Sequence, residues 1–120
     1  MMGVDSFLKY QKQKEQKRQQ SLARENQKRS QVINRIRAVL EQNKIEGICY
    51  LYGSTAEGCA NPGSDIDIAI EGIPYDRYFK LWALLNDEID GYFIDLRDIT
   101  GQSNFFAQKV RKYGKIIHRK

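Results

Sequence analysis

Apolar residues are spaced unevenly along the chain and divide it into a polar N-terminal part and a patterned remainder. Residues 9–29 contain almost no apolar side chains, yet they lack Gly and Pro and are rich in good helix formers. We therefore expect a solvated helix or a frayed arm there. Further on, apolar residues recur at three- and four-residue intervals: Val32, Ile33, Ile36, Val39 and Leu40. This spacing predicts an amphipathic helix with Ser30 as its cap, and a domain boundary near residue 30.

The remainder carries three strand-like segments separated by helical ones. Residues 46–52, 65–71 and 92–99 are short runs rich in Ile, Tyr and Phe, and the second of them alternates acidic or small residues with isoleucines. Helical spacing of apolar residues marks residues 76–89 and 103–113, the second with Phe106 on its inward face. We expect Gly114 to end this helix and His118 to lie in an exposed tail. The order predicts an α/β (α+β) domain over residues 30–120, with a small mixed β-sheet of about three to four strands flanked by helices. Residues 1–29 would be a basic helical or flexible extension of it.

Size and composition exclude several classes of protein. A chain of 120 residues with 41% hydrophobic and 29% charged residues has the composition of one small globular domain. Its longest apolar run has five residues, far fewer than the ~20 that a membrane-spanning helix needs, so we expect a cytoplasmic protein that does not enter the membrane. Two cysteines and one histidine cannot form a disulfide scaffold or a tetrahedral zinc site.

Charge is distributed in three blocks of alternating sign. The net charge is +5, but residues 1–45 carry +7, residues 46–108 carry −8 and residues 109–120 carry +6. Clustered carboxylates repel one another unless a cation neutralises them. The acidic middle segment is therefore where we expect the chemistry.

Three aspartates in this segment form a candidate metal site. Residues two apart on a strand point to the same side, so Asp65 and Asp67 project together, and Asp95 lies on a strand able to pair with theirs. Acidic residues are disfavoured within strands, so three of them on one sheet face indicate a function. Carboxylates combined with substrate phosphates suit Mg²⁺. Arg97 shares the face of Asp95 and is expected to be a solvent-exposed arginine or a phosphate contact. Tyr52 is expected to pack in the core, while a base pocket could be lined by Tyr75, Tyr78 and Tyr92.

A second candidate feature lies upstream, where the first strand ends at Gly53. Ser54-Thr55-Ala56-Glu57 fits a capping box, in which Ser54 and Glu57 satisfy free backbone N–H groups. Gly53 and Ser54 at the start of a helical turn also fit a phosphate-binding loop, and both roles can hold together.

These residues carry a family resemblance. Gly53-Ser54, followed ten residues later by Asp65-Ile66-Asp67 and then by Asp95 on a strand, resembles the signature of DNA polymerase β-type nucleotidyltransferases. The short domain and the runs at residues 53–58 and 64–68 are similar to the minimal nucleotidyltransferases (MNT proteins) of HEPN/MNT toxin–antitoxin systems. The resemblance spans about residues 30–117 and does not include the N-terminal extension.

The resemblance implies a fold, an activity and a partner. It implies a palm-like nucleotidyltransferase domain in which Asp65, Asp67 and Asp95 hold two Mg²⁺ ions, and Gly53 and Ser54 hold the phosphates of ATP. Asp95 would help to deprotonate the acceptor. The protein would be an antitoxin that transfers AMP to a tyrosine of a HEPN ribonuclease toxin, its partner in a hetero-oligomer.

Two other functions remain open from the sequence. The protein could neutralise its partner by binding alone, although a pure binder would gain nothing from clustered carboxylates. It could also modify a nucleic acid or a small molecule, although such enzymes usually carry a further acceptor-binding domain. Direct nucleic-acid binding is not expected, since Tyr10 is the only aromatic residue among residues 9–29.

Overall fold

The computed structural model describes residues 3–120 as alternating helices and strands around one β-sheet. In chain order the elements are α1 (Val4–Gln42), β1 (Ile48–Tyr52), α2 (Gly53–Glu57), β2 (Ile66–Glu71), α3 (Tyr78–Glu88), β3 (Ile94–Asp98), α4 (Phe105–Tyr113) and β4 (Lys115–Arg119). A single 3-10 turn, Tyr75–Arg77, leads into α3. The first three strands lie within two residues of their predicted bounds.

The sheet is mixed and has the strand order β3-β2-β1-β4. β1 pairs antiparallel with both β2 and β4, whereas β2 and β3 run parallel and are joined through α3. This confirms the predicted fold class, a small mixed α/β sheet flanked by helices.

Each face of the sheet packs against helices. On the first face Leu51, Ile68 and Leu96 are neighbours across three strands, and they belong to the main core together with apolar residues of α1 and α3. On the second face α4 packs over Tyr50 and Ala69, and forms a smaller core. Because α4 has only nine residues, it covers part of this face and leaves the β2–β3 side more open.

Helix α1 is continuous through residue 30, so Ser30 lies within the helix and the prediction that it caps one is wrong. Residues 4–24, which we call the arm, are exposed along their whole length, and with the rest of α1 they extend the molecule to 67 Å. Burial begins at Glu25 and Arg29. Helix α1 has no break at residue 30. The domain boundary there stays a prediction about which residues fold as a unit. No helix within residues 3–120 is long and apolar enough to cross a bilayer.

Strand β4 is an element that the sequence pattern did not reveal. We expected an exposed tail after Gly114, but residues 115–119 pair with β1, and the main chains of Gly47 and Lys120 exchange hydrogen bonds of 3.0 and 3.1 Å. His118, expected in that tail, is half-buried, with Nε2 2.8 Å from the carbonyl oxygen of Ile45. The prediction of a tail is wrong.

Candidate functional site

Two of the three predicted carboxylates lie side by side on the second face of the sheet. Asp67 on β2 is in register with Asp95 on the parallel strand β3, and with Tyr52 on the other side. The isoleucines that alternate with Asp67 are fully buried on the first face, which fixes the direction of its carboxylate. Asp65 precedes β2 by one residue and is exposed.

The three carboxylates interact electrostatically. The pKa of Asp67 is raised, first by partial burial and then by the negative charges of Asp95 and Asp65, while Arg97 and Arg29 oppose the shift. Asp67 is thus partly desolvated beside two like charges, an arrangement that a bound cation would relieve. Burial and the charge of Asp67 also raise the pKa of Tyr52 to about 12, so this tyrosine is a neutral hydroxyl at physiological pH.

Gly53 is adapted to the carboxylate of Asp67. It follows β1 with a φ of +74°, in the left-handed region that favours glycine. A Cβ atom at this position would overlap with Oδ2 of Asp67. The backbone can therefore pass close to the carboxylate only because residue 53 has no side chain.

The turn that follows β1 differs from the predicted capping box. Helix α2 begins at Gly53, its N-cap position is Tyr52, and no side chain caps it. Ser54 and Glu57 are both inside this short helix, so the capping interpretation is wrong because the helix starts two residues earlier than a Ser54 cap requires. Ser54 is half-buried next to Gly53, in the position where the family resemblance implies phosphate binding.

Aromatic rings and an arginine border the carboxylates. The Phe106 ring of α4 packs edge-on against Tyr52 at 5.4 Å, and the Arg97 guanidinium lies 5.4 Å from the centre of the same Phe106 ring. Nε of Arg97 is 3.7 Å from Oδ2 of Asp95, and its side chain is 58% exposed. Arg97 therefore combines exposure, as expected, with a place at the edge of the site, where it can meet an anion. The sequence pattern assigned Phe106 and Tyr52 only to packing.

Sequence reasoning missed a buried arginine behind the site. Arg29 hydrogen-bonds Thr55 of α2, and Asn61 and Ser64 of the loop that leads to Asp65. Its position carried a signal: Arg29 lies four residues before Ile33, on the stripe of α1 that faces the core, where a charged residue needs partners.

The tyrosines considered for a base pocket are not gathered in one. Tyr75 is 87% exposed. Tyr78 donates its hydroxyl proton to the carbonyl of Leu96, and Tyr92 donates to Glu25. The structure gives these rings separate roles.

The carboxylates fit a divalent cation by donor type, although they do not form a closed cage. Within residues 3–120, no three Asp, Glu, His or Cys side chains converge closely enough to hold a metal ion by themselves. Hard oxygen ligands on one open sheet face suit an ion that completes its coordination with water and substrate phosphates. The raised pKa of Asp67 and the close approach of the Gly53 backbone to its carboxylate agree with such a ligand.

Comparison with known proteins points in the same direction. Residues 34–120 match the family described as "Polymerase beta, Nucleotidyltransferase". Among solved structures, the chain is similar to a chain in the structure described as "Crystal structure of the toxin-antitoxin with AMP-PNP". The two sequences are 29% identical, the TM-score is 0.58, and the match covers 73% of each chain. No curated protein matches the chain.

Proposed function

The chain belongs to the polymerase β nucleotidyltransferase family, and from this premise we propose that it is an antitoxin that transfers AMP from ATP to a tyrosine of a HEPN toxin. The observation that carries the proposal is the register of Asp67 with Asp95 beside Gly53, since this arrangement has no structural need that apolar residues would not meet better.

In this proposal Asp65, Asp67 and Asp95 hold Mg²⁺. The cations would neutralise charge on the triphosphate and on the attacking oxygen. Backbone N–H groups at Gly53 and Ser54 and the Ser54 hydroxyl bind the β- and γ-phosphates at the start of α2. Arg97, exposed at the edge of the site 3.7 Å from Asp95, would contact a phosphate oxygen. Asp67 and Asp95 are half-buried and Arg97 is exposed, so both substrates would approach from the solvent side of this face.

Asp95 acts on the acceptor. It accepts the proton of the acceptor hydroxyl, because it lies on the outer strand of the sheet, where an acceptor can approach. The oxygen then attacks the α-phosphorus in line, the bond to the bridging oxygen of the β-phosphate breaks, and pyrophosphate leaves. Holding both substrates in this geometry supplies much of the acceleration.

The partner follows from the structural neighbour and from the sequence motifs. The neighbour is a toxin–antitoxin structure containing AMP-PNP, which supports both a protein partner and an adenine nucleotide for this chain. The HEPN class and the tyrosine acceptor rest on the resemblance of the Gly53-Ser54 and Asp65-Ile66-Asp67 motifs to MNT proteins.

Coexpression tests this function. The protein encoded next to this gene would be produced with the wild-type chain or with its Asp67→Asn variant, and the masses of the partner's peptides measured. We expect one or more AMP units on a tyrosine peptide with the wild type and none with the variant. An unmodified partner in both cases would refute AMP transfer.

Neutralisation by binding alone is the second candidate, and the exposed arm favours it. Residues 4–24 carry six Lys or Arg and two acidic residues, make a projecting surface and touch little of the domain. If binding suffices, Asp67→Asn would protect cells from the toxin as well as the wild type does.

A further inference from the structure

Arg29 is the largest fully buried side chain of the domain and lies in the middle of α1. It is 1% exposed, and Glu25, one turn earlier, is 6% exposed. A buried arginine is costly unless it is paired and all its donors are satisfied. The groups that contact Arg29 therefore indicate its role.

The charge of Arg29 is neutralised locally. Its Nε donates to Oε2 of Glu25 at 2.9 Å, and the Tyr92 hydroxyl donates to the same oxygen at 2.6 Å. The guanidinium also lies 4.7 Å from the centre of the Tyr92 ring. The hydrogen bond from Tyr92, followed by that from Arg29, holds the pKa of Glu25 below its ordinary value despite burial, so the pair is ionised at neutral pH.

The other donors of Arg29 all point at α2 and the segment between α2 and β2. Two bonds come from each terminal nitrogen, and their acceptors are Thr55 Oγ1 at 2.7 Å, Asp65 O at 3.3 Å, Asn61 O at 2.8 Å and Ser64 O at 2.7 Å. All five N–H groups of the guanidinium are thus used within the protein. No donor is left for an external anion, which excludes a role in binding phosphate.

This segment needs such an anchor. Residues 58–64 contain two glycines and a proline and have no regular secondary structure. Besides Arg29, the long-range ties of the segment are the buried Ala60 and a 3.0 Å hydrogen bond from Asn26 of α1 to the carbonyl of Gly58. One end of the segment is α2, which begins at Gly53 and Ser54, and the other end is Asp65.

We infer that Arg29 is a positioning residue: its guanidinium ties the start of α2 to the backbone of Ser64 and Asp65, and so sets the distance between the phosphate-binding turn and the carboxylates. This inference rests on the proposed function, because it concerns how that site is held. Lysine cannot replace the arginine, since one ammonium group cannot reach four acceptors arranged around a planar fork.

The test compares Arg29→Lys with two control variants. Tyr92→Phe removes the bond to Glu25 and weakens the same cluster without touching the loop, and Arg24→Lys makes the same exchange at an exposed site of α1. For the wild type and all three variants we would measure hydrogen exchange at the amides of residues 59–65. Calorimetric titration with ATP, with and without Mg²⁺, gives the affinity. Melting temperatures show how far each change destabilises the fold.

We expect Arg29→Lys to exchange faster across residues 59–65 and to bind Mg²⁺·ATP between about 10- and 100-fold more weakly, because small displacements in a site cost factors of this order. Tyr92→Phe and Arg24→Lys should keep wild-type exchange in that loop and wild-type affinity. If Arg29→Lys does not fold, Thr55→Val removes one acceptor from the same cluster and should give a smaller loss of the same kind.

Two outcomes would overturn the inference. The first is that Arg29→Lys, or Thr55→Val when that variant is used, keeps both the hydrogen exchange of the loop and the Mg²⁺·ATP affinity of the wild type. The other is an equal loss in Tyr92→Phe at a similar melting temperature, which would make the role of Arg29 one of stability alone. Failure of the wild-type chain to bind Mg²⁺·ATP would instead refute the proposed function, while the loop-exchange comparison would still report on the arginine.

Discussion

A close approach in the candidate site joins Gly53, the first residue of α2, to the carboxylate of Asp67 on β2. The glycine has a positive φ and no room for a Cβ atom. These are separate constraints, one on the backbone and one on space. A glycine elsewhere in the chain allows them to be measured separately.

Gly53→Ala should lower stability and abolish nucleotidyl transfer, because the new methyl group would displace the carboxylate of Asp67. The backbone strain alone costs on the order of 1–3 kcal/mol. Gly91→Ala is the matched control, since its φ is +86° but a Cβ atom added there would have no other atom within 4 Å. Urea unfolding should show a similar strain cost in both variants and a further loss in Gly53→Ala, and only Gly91→Ala should keep transfer. Equal losses of stability and full activity in both would contradict the steric argument.

Asp67→Asn should stabilise the metal-free protein at neutral pH and abolish transfer. The pKa of Asp67 is higher in the folded than in the unfolded chain, so its ionisation weakens the fold above that pKa, and the penalty disappears as the pH falls toward 3.8, the ordinary value. The gain in melting temperature should therefore shrink with falling pH.

Asp90→Asn, at an exposed turn, is the control for a changed net charge. Mg²⁺·ATP should raise the melting temperature of the wild type and of Asp90→Asn, but have little effect on Asp67→Asn, because ligand bound only to the native state stabilises it. A lower melting temperature for Asp67→Asn than for the wild type near neutral pH would show that the carboxylate has a favourable partner in the fold.

At the level of elements, α2 begins at the end of β1 without a side-chain cap. A capping serine would cost about 1 kcal/mol to remove. Since Ser54 does not cap this helix, Ser54→Ala should change the free energy of unfolding by less than about 0.5 kcal/mol, as at ordinary positions away from such features. Its ATP affinity should nevertheless fall. A loss of about 1 kcal/mol in the free energy of unfolding, with unchanged ATP affinity, would show that Ser54 caps α2 and does not bind phosphate.

Helix α1 combines an exposed arm with a buried segment, and deletions should separate the two. Removing residues 1–17 should leave a folded domain that binds Mg²⁺·ATP. Removing residues 1–29 deletes Glu25 and Arg29 as well, so Tyr92, Thr55 and the loop carbonyls lose their hydrogen-bond partners. Each buried group left without a partner costs about 1–3 kcal/mol. Circular dichroism and thermal unfolding of both truncations measure this. Equal stability of the two would place the boundary at residue 30, as the hydrophobic pattern predicts.

Those parts of the fold that have a strong periodic signal could be predicted from the sequence. The alternation around Ile66, Ile68 and Ile70 predicted β2 and the direction of Asp67, and helical spacing predicted α3 and α4. β4 escaped detection because it has two adjacent apolar residues between charged ones, and its pairing with β1 depends on residues far away in the chain. Arg29 escaped because it lies among the polar residues 9–29, before the apolar pattern begins, although it continues the stripe of Ile33 by one turn.

On the scale of the whole molecule, a basic projection and an acidic segment with the candidate site lie in different parts of the chain. The arm spans residues 4–24, whereas the carboxylates lie more than forty residues further along the chain. If the arm docks an acidic surface of the toxin, its deletion should weaken the complex and flatten the salt dependence of binding, since screening acts on the lost Lys and Arg contacts. Native mass spectrometry of the complex over a salt series measures this. Unchanged affinity at every salt concentration would show that the arm is a solvated extension.

The chemistry itself is tested by the position of the label that is transferred. The purified chain, Mg²⁺ and the toxin encoded beside it would be incubated with ATP labelled at the α- or at the γ-phosphate, with Asp67→Asn in parallel. A nucleotidyltransferase should label the toxin from the α-position only, and the variant should give no label from either. Transfer of the γ-label would identify a phosphoryl transferase, and label at the same level with Asp67→Asn would contradict a catalytic site at these carboxylates.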